Sequence, residues 1–340
     1  MKVKMLIASD DTKYTMKLSE QISKNHSDTL EVATCSNMDE LEKAIHFGKG
    51  DVALIDHSFI KYIDLIDAIL PIMLHSETEI DEAPAELLRT QKYRRISALV
   101  ADILEIYSKV SKTAILGVGK TADITAVWSP AGGVGKTTVA LAAAESAIQM
   151  GKRVFYLNLE IFSSIPIYFN DARKSISTVF EMLESDEGNV KMLISAITEE
   201  ENGITYLGMP SNYDDINILT AKNIEDLIIT CGALADELII DLSLPCDSRT
   251  TKVFELANKV LLVTDGTATA KAKLSQFVYQ NNVFGSITEK ITVIANKGTE
   301  MDDKTMHSVN SLPHVSVSSE TQLYKELAAH LQTFTAWRHQ

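Results

Sequence analysis

Apolar and polar positions divide the chain into two runs of short strands alternating with helices. In the first run, VKMLIAS is a short apolar strand ending on Asp10 and Asp11, and MKLSEQISK then takes helical spacing. TLEVATC predicts a second strand, MDELEKAIHFG a helix closed by Gly48, and DVALID a third strand ending on Asp56. PIMLHS and ELLRTQKY continue the series, and RISALVADILEIYSKV predicts its last helix. The pattern restarts at residue 123 with DITAVWS, TVALAAAESAIQMG and RVFYLNLE, and later gives LIIDLS, VLLVTD and ITVIANK as buried-strand candidates. Strands alternating with helices predict parallel sheets covered on both faces. The expected class is α/β, with two doubly wound parallel-sheet domains at 1–112 and 123–340 and a small, polar linker over 113–122.

The letters GVGKT occur twice, at 117–121 and at 133–137. Neither copy fits G-x-x-x-x-G-K-[ST], because the first glycine would fall on Ala114 or on Pro130. Context separates them. A phosphate loop needs a strand that delivers the chain into a glycine-rich turn, then a helix whose N-terminal partial positive charge faces the phosphates. The second copy has ITAVWS before it and the alanine-rich, helix-prone TVALAAAESAIQM after it, ending at Gly151. The first is followed by the β-branched ADITAVWS, so it reads as a linker turn, Lys120 included. In the second copy Gly132, Gly133 and Gly135, with Val134 between them, let the backbone approach phosphate oxygens. Lys136 is placed to reach the β- and γ-phosphates, Thr137 to ligate Mg2+ through its hydroxyl, and Thr138 to donate to the α-phosphate.

Composition narrows the alternatives. With 340 residues, 45% hydrophobic and 23% charged, the chain can bury two cores. Its net charge of −14 speaks against DNA as a partner, since phosphate-backbone binding calls for a basic face. Cys35, Cys231 and Cys246 lie far apart, which points to a reducing compartment and away from a structural zinc. There is no bilayer-length apolar run, and MKVKMLIASDD turns acidic too early for a signal peptide, so the expected location is cytoplasmic.

AGGVGKTT, the strand end NLE, ELIIDLSLP and the late IANK together resemble the deviant Walker A ATPases of the ParA/MinD class. The resemblance implies an ATP- and Mg2+-binding homodimer that sandwiches its nucleotides. The class usually reads KGGVGKTT, with the first lysine crossing to the partner's nucleotide, and here that position is Ala131. The usual Asp-x-Asp is replaced by Asn158 and Glu160, so Glu160 is either a weakened water-orienting base or a solvated strand-end charge. By the same resemblance Asp241 holds Mg2+, Asn296 reads the adenine edge, and HVSVSSETQ closes over the base. ATP binding with weak or absent hydrolysis is the expectation, with Lys136 and Glu160 as the catalytic candidates. Leu323, Leu327, Leu331 and Phe334, with Trp337 beyond, share one face of a C-terminal helix. That face reads as packing on its own domain in preference to a peripheral membrane contact.

The first run resembles a response-regulator receiver, a flavodoxin-like domain. Asp10 and Asp11 fall at the metal-binding acids, Asp56 at the phospho-acceptor, Ser76 at the hydroxyl and Lys92 at the lysine. DHSFIK lacks the Met-Pro that usually follows the acceptor, and EIDEAPAE leaves little room for a fourth helix, so a structural or protein-binding role is favoured over phosphotransfer. An atypical receiver followed by a MinD-like domain without its signature lysine resembles the TadZ/CpaE family. That resemblance implies a factor that marks a cell pole and recruits Tad/Flp (type IVb) pilus assembly machinery. A cycling ParA/MinD-type ATPase for division or partition, and a response regulator with an ATPase output, remain alternatives.

Overall fold

Strand and helix follow one another through both halves of the chain in a computed structural model. It describes residues 2–27, 29–46, 50–66, 68–76, 87–110, 122–170, 174–186, 188–243, 245–279, 285–299 and 309–334. The first GVGKT copy with Lys120, most of the expected linker, Gly48, EIDEAPAE and Trp337 lie outside the described residues. The chain divides into two compact units, Met1–Lys112 and Thr113–Gln340.

In the first unit, β1 (Val3–Ala8) leads to α1 (Thr12–Asn25), whose N-terminus is capped by the Asp11 carboxylate accepting from the Tyr14 amide at 3.0 Å. Then come β2 (Leu30–Cys35), α2 (Met38–His46), β3 (Gly50–Asp56), a 3-10 helix over His57–Leu65, β4 (Ala68–His75), β5 (Leu88–Gln91) and α3 (Ile96–Val110). All strand pairs are parallel, in the order β2-β1-β3-β4-β5. β3 sits at the centre, and Val52–Asp56 are buried without interruption, as a strand covered on both faces requires. The strand order reverses between β1 and β3, so the crevice of this sheet opens where Asp10, Asp11 and Asp56 leave the strands.

The second unit begins with β6 (Asp123–Trp128) and α4 (Lys136–Gln149), followed by β7 (Val154–Leu159), the short α5 (Ile165–Tyr168), α6 (Ser177–Ser185) and α7 (Val190–Ile197). The hairpin β8 (Glu199–Glu201) and β9 (Ile204–Tyr206) leads on to α8 (Ala221–Gly232), β10 (Glu237–Leu242), α9 (Ser248–Leu256) and β11 (Lys259–Thr264). The unit closes with α10 (Ala268–Val278), β12 (Ile291–Ala295), β13 (Val309–Ser311) and α11 (Glu320–Leu331). The sheet order is β13-β12-β11-β6-β10-β7-β9-β8, parallel except for the β8–β9 hairpin.

Neighbouring residues of β6 serve opposite faces. Val127 joins the cluster formed with α4 and α11, while the Trp128 ring lies 5.6 Å from Phe254 of α9 and 4.8 Å from Phe277 of α10. Val139–Ala144 of α4 are all fully buried, since small alanines let the helix axis approach the sheet closely. α11 lies on α4, with Leu327 and Leu331 buried and Leu323 and Phe334 packed at the margin of the same cluster. The apolar face of the C-terminal helix is therefore used within its own unit. Among the described residues no helix is long and apolar enough to cross a membrane.

Candidate functional site

β6 has β10 on one side and β11 on the other, so the crossovers diverge at its C-terminal end and leave a crevice there. The second GVGKT copy occupies it. Gly133 and Gly135 take φ of 71° and 91°, the left-handed region that glycine enters without cost. A Cβ on Gly135 would stand 2.3 Å from the Asn296 side-chain nitrogen, so Asn296 would have to move. Gly135 is the N-cap of α4 and no side chain caps it, which leaves the first amides of the helix available to an anion. This loop satisfies the steric and electrostatic demands of a phosphate cradle.

Residues from three strand ends converge on the loop. Lys136 is buried, with Nζ 3.8 Å from Glu160 Oε1, and the Thr137 hydroxyl donates to Glu160 Oε2 at 3.3 Å. The Glu160 side chain is 17% exposed and faces the loop. Asn158 is buried; its amide donates to the Tyr156 hydroxyl at 3.0 Å and its carbonyl accepts from the Glu160 amide at 3.1 Å. Thr138 lies 3.4 Å from the Tyr168 hydroxyl. Ala131 is buried in the cluster of the unit's own core, and its amide donates to the Ser129 hydroxyl at 3.1 Å.

The β-ladder sets Asp241 opposite Val127 of β6 and Asn158 of β7. Its Oδ2 accepts from the Tyr156 hydroxyl at 2.9 Å, while its Oδ1 is buried with no hydrogen-bond partner. Burial pushes the Asp241 carboxyl up to about 7, the Glu160 charge adds to this, and the Thr137 and Tyr156 hydroxyls act the other way. An orphaned carboxylate oxygen beside Thr137 fits a hard cation such as Mg2+, which takes oxygen ligands. Among the described residues no cluster of three or more His, Cys, Asp or Glu side chains is placed to hold a metal ion.

Asn296, expected at the adenine edge, is buried, and its side-chain amide donates to the Val134 carbonyl of the loop at 3.0 Å. Sequence reasoning missed two residues here. The Lys297 ammonium reaches the Gly133 carbonyl at 2.7 Å from a backbone φ of 60°. Tyr156 holds Asp241. The signal for Tyr156 was present, since Tyr156 and Asn158 alternate on one face of β7 and Glu160 follows directly after the strand. Lys297 had only its place between a strand end and Gly298.

In the first unit the structure brings Asp11, Asp56 and Lys92 together. Asp56 is 2% exposed; it accepts from Lys92 Nζ at 2.6 Å, from the Ser9 hydroxyl, and from the His57 amide at 2.9 Å. Lys92 also lies 3.8 Å from Asp11 and over the rings of Tyr14 and Tyr93. Burial alone would lower the Lys92 ammonium, but the hydrogen bond and charge of Asp56 outweigh it and raise it. Asp10 is exposed, and Ser76 follows the end of β4.

No protein-family model and no curated protein matches the chain. Among solved structures it is similar to a ParA family ATPase from Chlorobium tepidum TLS, at 15% identity over 62% of this chain and 99% of that one, with a TM-score of 0.51. It is also similar to the cell division ATPase MinD of Pyrococcus furiosus (12% identity, 62% and 99% covered, TM-score 0.47). A third similar structure is the cobyrinic acid a,c-diamide synthase of Mycobacterium smegmatis with bound ADP and magnesium (18% identity, 62% and 94% covered, TM-score 0.46). The ParA likeness shows the fold alone: an α/β domain folded like that ParA family ATPase.

Proposed function

We propose that the chain is an ATP-binding, dimer-forming localisation factor of the TadZ/CpaE kind, which marks a cell pole and recruits Tad/Flp pilus machinery. In this reading 1–112 is an atypical receiver-like unit, 113–122 a linker and 123–340 the nucleotide-binding unit. One observation carries the proposal: a cradle ready for phosphates has a buried alanine, Ala131, where the class has a lysine. The loop amides and Lys136 would hold the phosphates, while Thr137 and Asp241 Oδ1 would hold Mg2+, whose charge screens the oxygens of the terminal phosphate. Glu160 would have to release Lys136 and Thr137 as nucleotide enters, and it would then stand beside the terminal phosphate as a weak base.

Loss of a cation that stabilises phosphoryl transfer lowers the rate by about 10³–10⁵. Loss of one charged hydrogen bond across a dimer weakens its dependence on nucleotide by roughly 1.5–3 kcal/mol. A dimer resting partly on apolar contact is the consequence. Phe162 and Tyr213 stack at 6.1 Å yet remain 82% and 58% exposed, just beyond Glu160, and they are the surface we assign to the second copy.

In the native cell, a fluorescent fusion should form a polar focus and pilus assembly should fail without the protein. The Lys136→Ala variant should lose the focus if localisation depends on ATP. A diffuse signal from the unaltered fusion would overturn the landmark reading.

A further inference from the structure

In a phosphate loop the amides must converge inward, so the carbonyls of the same peptide units face outward and need partners of their own. A trans peptide fixes this geometry, because the carbonyl of one residue and the amide of the next lie on opposite sides of a rigid plane. Whatever holds the Gly133 carbonyl therefore aims the Val134 N–H, and whatever holds the Val134 carbonyl aims the Gly135 N–H.

Both holders come from one place, the turn after β12. Lys297 Nζ donates to the Gly133 carbonyl at 2.7 Å, and Asn296 Nδ2 donates to the Val134 carbonyl at 3.0 Å. The turn is itself fixed. The Asn296 amide donates to the Thr264 carbonyl at 2.7 Å, the Gly298 amide to the Leu312 carbonyl at 2.9 Å, and the Thr299 hydroxyl to the Asp265 carbonyl at 2.7 Å. Asp265 lies 3.6 Å from the Lys297 ammonium and steadies it. Lys297 meanwhile holds a φ of 60°, a region costly for a residue with a Cβ and retained where surrounding structure imposes it.

We propose that Asn296 and Lys297 are positioning residues that preorganise the phosphate loop by fixing the peptide planes 133–134 and 134–135. This rests on the reading of the loop as a nucleotide site and adds to it where the loop's shape is set. The role differs from reading the base: the pair acts on the triphosphate end of the ligand, whatever base is attached.

The test measures affinity for ATP with Mg2+ and for inorganic tripolyphosphate with Mg2+, by calorimetry on the full chain. Lys297→Met keeps the apolar stem and removes the donor. It should weaken both ligands by about tenfold, in keeping with the loss of one hydrogen bond made by a charged group. The loss should persist at 1 M salt, where charges are screened beyond about 3 Å. Lys297→Arg, which keeps a charged donor, should restore most of the affinity and so separates positioning from a general loss of fold.

A loss confined to ATP would make Lys297 a base contact and overturn the proposal, as would a loss that vanishes in high salt or unchanged affinity for both ligands. Wild-type protein that bound neither ligand would overturn the nucleotide reading itself, and the positioning role with it. Wild-type binding with an unaffected Met variant would overturn the positioning role alone.

Discussion

Asp241 has one oxygen committed to the Tyr156 hydroxyl and the other left bare in the interior. Buried polar groups are expensive to leave unpaired, so Tyr156→Phe should destabilise the unliganded protein by about 1–3 kcal/mol. Denaturant unfolding checks this, and an unchanged midpoint would show that the hydroxyl is dispensable. Asp56 presents the opposite situation: Lys92, Ser9 and the His57 amide already occupy both of its oxygens. Acetyl phosphate with Mg2+ should therefore leave no adduct on Asp56 by mass spectrometry, and a phosphorylated Asp56 peptide would contradict that account. At this scale the sequence showed the residue types that chemistry requires at strand ends, such as Lys136, Thr137 and Asp241. It could not show that Asn296 and Lys297 turn to the loop carbonyls, because nothing in a strand-ending Asn-Lys says which backbone it meets.

The elements were legible where burial is uniform. VFYLNL, ELIIDL and ITVIA are apolar runs because each strand is covered on both faces, and each is a buried strand of the central sheet. The β8–β9 hairpin and the 3-10 helix over His57–Leu65 were not read, since short polar or irregular segments carry no period. α11 tests the use of an amphipathic face. Leu331 is fully buried against α4, so Leu331→Ala should cost about 2–5 kcal/mol, read as a lowered melting temperature. A shift within error would mean that the helix is not part of the core. α9 depends on the residue before it: the Asp247 carboxylate caps it by accepting from the Arg249 amide at 2.9 Å and pairs with the Arg249 guanidinium at 2.6 Å. Burial raises this carboxyl, but the Arg249 side chain and the amides of Thr250 and Arg249 outweigh it and hold it below the usual carboxylate range. A folded-state value below the unfolded one contributes stability above about pH 4 and loses it as pH falls. The stability gap between wild type and Asp247→Asn should hold from neutral pH to about 4 and close below it. A gap that widened in acid would have the sign reversed.

At the scale of the whole molecule, two sheets, parallel but for the β8–β9 pair, each place polar residues at a switch in strand order, which explains why both candidate sites fall at strand ends. The two GVGKT copies differ in the residues downstream of each, and the structure has the second copy between β6 and α4, as its helix-forming downstream residues dictate. In the proposed reading the cradle holds ATP while the apparatus for cleaving it is incomplete. The direct measurement incubates the full chain with labelled ATP and Mg2+, isolates the bound nucleotide over hours and identifies it, with Lys136→Ala as the blank. The expected result is retained nucleotide that is still triphosphate in the wild type and none in the variant. Prompt conversion to ADP, or equal retention by Lys136→Ala, would contradict the claim.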